Sequence, residues 1–224
     1  MLALLHQLVA FLATWFLVAA ALGIVHQGKL IHHAKNSSAV SSWRFLGVFL
    51  SNVVWVLIAL STQAINFPLL IGCSCMLVAS IYVILSILRY PPKQSAVFQI
   101  GCVLVVFSSL LLIATSSAQR QLLLPISSAL GILGVLASLF LIHAGTLAQY
   151  KLNAARGSVK GLSFWNWSLH WLDWGIWVVY PLLLGLAEHW AAFVNAAIGL
   201  VLTTLLIVQY VRLQKRDASD EQVP

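Results

Sequence analysis

The sequence predicts an all-α membrane protein of seven transmembrane helices, arranged as two parallel three-helix repeats joined by a linker helix. Three observations carry this. The 224 residues are 61% hydrophobic and 8% charged, where a soluble domain holds about a quarter charged. The apolar stretches are long enough to cross a bilayer, which takes about 20 residues. The chain also aligns with itself at an offset of 122 residues: Gly23 falls on Gly145, Gln27 on Gln149, Lys29 on Lys151, Ser41 on Ser163, Trp43 on Trp165 and Trp55 on Trp177. No gap is needed between Leu8 and Tyr90, and two coincident pairs among nine Trp exceed what a chance register supplies.

The spans read as 3–25, 44–62, 67–88, 96–117, 123–147, 163–186 and 190–211. The second is the weakest, because Arg44, Ser51 and Asn52 interrupt it. The first has no Lys or Arg ahead of its apolar stretch, as a secretory signal would, and reads as a permanent span. The offset groups 3–90 as the first repeat and 123–212 as the second, with a linker helix in 91–120 and a disordered tail in 213–224. Parallel triplets of this kind are a transporter architecture.

The net charge of +7 is an orientation signal here and not a nucleic-acid site. With the N-terminus outside, the inner loops and tail hold Lys29, Lys35, Arg44, Arg89, Lys93, Lys151, Arg156, Lys160, Arg212, Lys215 and Arg216, against Arg120 outside. The positive-inside rule then places the N-terminus outside and the C-terminus in the cytoplasm; a plasma (inner) membrane is the expected location. Cys73, Cys75 and Cys102 fall inside spans without metal-ligand spacing, so neither a disulfide framework nor a metal is expected. His26, His32 and His33 read as a solvated inner loop. No nucleophile–base spacing, phosphate loop or carboxylate pair marks an enzyme, and no cofactor is implied.

Each repeat joins its first two helices through a polar segment. The second runs from Gln149 through Lys151 and Arg156 to Ser158-Val159-Lys160-Gly161-Leu162-Ser163; the first runs from Gln27 through Lys29 to Ser41. Downstream lie Trp177-Val178-Val179-Tyr180 and Phe193-Val194-Asn195-Ala196-Ala197-Ile198-Gly199. This set resembles the PQ-loop superfamily, which includes the SWEET sugar facilitators, over nearly the whole chain and most clearly in the second repeat. The proline of the family's Pro-Gln pair is replaced by His26 and Ala148. In the family that proline marks the flexible point of a helix, so Gly23, Gly28 and Gly145 are the residues left to supply local freedom beside Gln27 and Gln149.

The resemblance implies a substrate held between the triplets by Trp55 and Cys73 in the first repeat and by Trp177 and Asn195 in the second. The chemistry suits a sugar: an indole stacks on the apolar face of a pyranose, and a carboxamide meets hydroxyls as donor and acceptor. Cys73 replaces the family's Asn and hydrogen-bonds poorly, which makes the site asymmetric. Trp165, Trp167, Trp171 and Trp190 read as belt or packing residues.

Three ionisable residues, His143, His170 and Asp173, lie within spans, where such groups are functional hypotheses. Asp173 shares a helix face with Trp177, and His170 is its neighbour one turn back. In cystinosin-like proton-coupled transporters of amino acids, an Asp follows the Leu-Ser motif by seven residues; here that place is His170, with Asp173 one turn on. The alternative is a structural His–Asp pair that satisfies itself in the bundle. The expected function is facilitative transport of a small polar solute, a sugar or similar, by alternating access in a lipid bilayer. Proton-coupled amino-acid transport is the second reading, and a non-transporting receptor akin to KDEL receptors the third. A homo-oligomer is left open.

Overall fold

In the computed structural model, residues 2–61, 66–91, 96–184 and 186–220 are described, and among them the chain is helical throughout. The elements are α1 (Leu2–Ala34), α2 (Ser42–Ser61), α3 (Phe67–Arg89), α4 (Ala96–Ala118), two short 3₁₀ turns, α5 (Ser127–Ala137), a π-helical turn (Ser138–His143), α6 (Ala144–Arg156), α7 (Phe164–Leu184) and α8 (Leu186–Asp220). The residues flanking the π turn keep right-handed helical angles, so α5, the turn and α6 form one continuous rod.

Six of these helices are long and apolar enough to cross a membrane: α1, α2, α3, α4, the α5–α6 rod and α8. The seventh span expected from sequence, α7, forms a 21-residue helix but falls outside that set. Asn166, His170 and Asp173 lower its hydropathy, and all three are buried against neighbouring helices. α3 packs against both α1 and α2, α8 packs against α7 and more lightly against the α5–α6 rod, and α4 touches mainly α2. Across these groups, α1 packs on α7, and α2 packs on the α5–α6 rod. The outer face of α4 carries exposed Val103, Leu104, Phe107 and Leu111, as a lipid-facing helix requires.

The connections differ from the sequence expectation. Apolar character in α1 fades after Val25, yet the helix continues through Gln27, Lys29, His32 and His33. No glycine cap or proline stops it, and the basic residues of its last turn suit the negative end of the helix dipole. His32 is therefore helical, its ring 5.9 Å from that of Tyr82 and 5.3 Å from that of Tyr90. α1 ends where Lys35 turns left-handed at φ 48°, and α6 ends where Gly157, 122 residues later, does the same at φ 65°. In α6 the turn is closed by the Gly157 N–H donating to the Asn153 carbonyl at 2.9 Å.

The tail expected to be disordered from 213 is instead the end of α8, helical to Asp220; residues 221–224 lie outside the described residues. Asp217 explains the order. Its carboxylate accepts from the Ser158 hydroxyl at 2.9 Å and from the Val159 N–H at 3.2 Å, which ties the helix end to the 157–163 connection. Lys93 and the side chain of Trp190 also lie outside the described residues.

Candidate substrate cavity between the helix groups

The site is best built from the face that closes it. Gln27 of α1 donates through Nε2 to the Gly161 carbonyl at 2.9 Å and accepts from the Ser163 N–H at 2.7 Å. Gln149 of α6 donates to the Ala39 carbonyl at 2.9 Å and accepts from the Ser41 N–H at 2.6 Å. Each partner is the other's counterpart at the 122-residue offset. Each carboxamide thus plays the part of a missing backbone partner for the opposite connection, and both side chains are fully buried.

One turn deeper, a Cβ on Gly23 would stand 2.8 Å from the Asn166 Cα, and one on Gly145 2.6 Å from the Arg44 Cα. These again are counterpart positions. Gly23 and Gly145 are where helices of the two groups touch backbone to backbone. Gly28 lies against the Tyr82 ring. These glycines serve close packing, a use distinct from the backbone freedom that the sequence suggested for them.

Arg44 is also placed differently from expectation. Counted from sequence among the inner-loop cations, it is buried in the first turn of α2 with its guanidinium 3.5 Å from the centroid of the Trp167 ring. Trp167 is itself buried, whereas Trp165 and Trp171 are exposed as lipid-facing or interfacial residues would be.

Above this sealed layer a cavity of about 270 Å³ lies between the helix groups. Trp55, Cys73, Trp177, Asn195, His170 and Asp173 all line it, drawn from α2, α3, α7 and α8. α1 adds Ala10, Ala13, Thr14 and Leu17, and the π turn adds Ser138 and Ile142. The wall extends to Asn66, an exposed residue at the start of α3, at the end of the bundle away from the Gln27 and Gln149 contacts. Among the described residues, the wall thus runs from the exposed Asn66 toward the layer of Gln27 and Gln149 contacts.

His143, the third ionisable residue singled out, stands behind the wall. Its Nε2 lies 2.8 Å from Asn195 Oδ1 and 3.2 Å from the Asn195 carbonyl, so it donates and fixes the amide orientation. The expected His170–Asp173 pair does not satisfy itself. His170 Nδ1 donates to the Asn166 carbonyl at 2.8 Å, and Asp173 lies near the Trp177 side chain, one helical turn on. His170 Nε2 and Asp173 Oδ1 are both buried without a hydrogen-bond partner.

Residues that sequence reasoning passed over complete the wall. Ser138 accepts from the Trp55 indole at 2.9 Å and lies 2.9 Å from the Ser51 hydroxyl. Asn52 donates to the Val48 carbonyl of its own helix at 2.8 Å. Trp174 packs on Gly199, with its ring 5.4 Å from that of His143. Asn52 had a signal, since it sits at the 122-residue counterpart of Trp174 and one turn from Trp55. Ser138 had none, because the π turn advances the face on which it would otherwise lie.

Neither a scan of the sequence against protein-family models nor a search of curated proteins found a match. Among solved structures, a eukaryotic SWEET transporter superposes with a TM-score of 0.65 at 16% identity, covering 94% of this chain and 99% of that one. The chain has the fold of that transporter. The likeness spans both helix groups and the helix between them.

Proposed function

We propose that this chain is a SWEET-like facilitator that moves a small polar solute, of the size of a sugar or similar, by alternating access. Seven helices would cross the bilayer as two parallel triplets with α4 as linker, N-terminus outside and C-terminus cytoplasmic. The observation that carries the reading is the cavity, which is lined from both helix groups and lies beside the layer of Gln27 and Gln149 contacts. The polar atoms in its wall and the four aromatic side chains Trp55, Trp174, Trp177 and Tyr180 suit a solute with polar and apolar faces.

Exchange of access requires the Gln27 and Gln149 contacts to part while the opposite end closes. The π turn, beside the cavity, supplies the irregular helix that the absent prolines do not. Saturable counterflow of a radiolabelled solute in proteoliposomes tests this, with Trp177→Ala and Asn195→Ala expected to abolish it. Saturable flux untouched by either variant would place the pathway elsewhere.

His170 and Asp173 in the wall favour a second reading, proton-coupled transport of an amino acid. Counterflow that runs equally at pH 5.5 and 8 and is unchanged by Asp173→Asn would reject it.

A further inference from the structure

The donors and acceptors of the cavity wall do not balance. The Trp55 indole N–H is taken by Ser138, and the Asn195 amide oxygen by His143. Beside the Asn195 amide nitrogen, which is a donor, the fully buried atoms left unpartnered among the described wall residues are Asp173 Oδ1 and His170 Nε2. Both are acceptors: a carboxylate only accepts, and the imidazole, whose Nδ1 donates to the Asn166 carbonyl, presents a lone pair at Nε2.

Asp173 is also the one carboxylate among the wall residues. Arg44, the buried cation nearby, stacks on Trp167, and neither belongs to the wall. A buried carboxylate with an unmade hydrogen bond is costly until a cation or donor meets it. The indoles of Trp55, Trp174 and Trp177 surround the same space and offer faces that attract a cation and cover a hydrocarbon body.

We propose that the solute taken by this cavity is a protonated primary amine, its ammonium on Asp173 and His170 and its carbon body among the indoles. The proposal rests on the transport reading and narrows it. A neutral polyol could meet the Asn195 amide nitrogen, but it brings no charge to set against Asp173. An anion would meet Asp173 unfavourably.

The test is titration of the intrinsic Trp fluorescence of the full-length, detergent-purified protein at pH 7. The probes are butylammonium chloride, the neutral 1-butanol of the same size, and D-glucose, with sodium chloride held at matched ionic strength. Butylamine is fully protonated at this pH, as a lysine side chain is. The expected result is saturable binding of butylammonium at least about tenfold tighter than butanol, with that ratio lost in Asp173→Asn. Equal affinity for butylammonium and butanol overturns the amine assignment, and the wild-type ratio alone decides this should the variant fail to fold. A preference that persists in a folded Asp173→Asn also overturns it. Saturable glucose binding without ammonium preference sinks the amine while leaving the transport reading standing; no saturation by any probe counts against both.

Discussion

Arg44 shows how much one residue can depart from what its type suggests. Its guanidinium is buried with Nε and Nη1 unpartnered, and the Trp167 face is the favourable contact it makes. A desolvated cation–π contact is worth about 2 kcal/mol, and truncating a buried Trp all the way to Ala costs about 3–5 kcal/mol, of which Leu keeps part of the packing. Trp167→Leu is therefore expected to destabilise the protein by about 3–5 kcal/mol. Arg44→Met, which removes the charge along with its unmade bonds, is expected to cost less than about 1 kcal/mol or to stabilise. Denaturant melts of both variants in detergent decide the order, and a larger loss for Arg44→Met would show that the charge itself holds the structure. Sequence gave no warning of this burial, because a positive-inside count treats every cation near a span end as solvated. Trp55, Cys73, Trp177 and Asn195 were legible for the opposite reason. Position in a repeat fixes which wall a residue faces, whatever its chemistry.

Between elements, the two groups of helices are fastened by reciprocal contacts. Gln27→Leu would leave the buried Ser163 N–H without a partner and free the exposed Gly161 carbonyl, and Gln149→Leu would leave both the Ala39 carbonyl and the Ser41 N–H buried without partners. Each is expected to cost about 2–4 kcal/mol, from two net bonds and their desolvation penalty. Gly145→Ala, facing immovable Arg44 backbone, is expected to cost about 1–3 kcal/mol. A melting temperature unchanged by Gln149→Leu would mean that the face is not closed by these contacts. The helices that carry Gln27 and Gln149 differ in regularity: the π turn interrupts the α5–α6 rod, whereas α1 runs unbroken. Hydrogen exchange should be faster at the amides of 138–143 than at their counterparts 16–21, and equal protection would remove the turn as a hinge. Helix existence was legible from the apolar runs. The helical extensions into 26–34 and 213–220 were not, because polar composition there suits a loop, while His32 and Asp217 hold those segments through tertiary contacts.

At the scale of the whole molecule, the fold is a bundle with the Gln27 and Gln149 contacts toward its basic end and a cavity between helix groups. The 122-residue offset in the sequence suggests a division into halves. It could not reveal which end is closed, because closure depends on side chains such as Gln27 that reach across halves. The central claim is that this cavity communicates with each side of the membrane in turn. Cys73, buried in its wall, is a natural reporter. With Cys75 and Cys102 replaced by Ser, a membrane-impermeant thiol reagent is supplied either outside sealed, oriented vesicles or trapped within them. The account predicts that Cys73 is modified from both sides, and that a neutral thiol block made from one side protects against the reagent on the other. Modification from a single side, however long the exposure, would contradict alternating access and leave a one-sided binding protein with a transporter's fold.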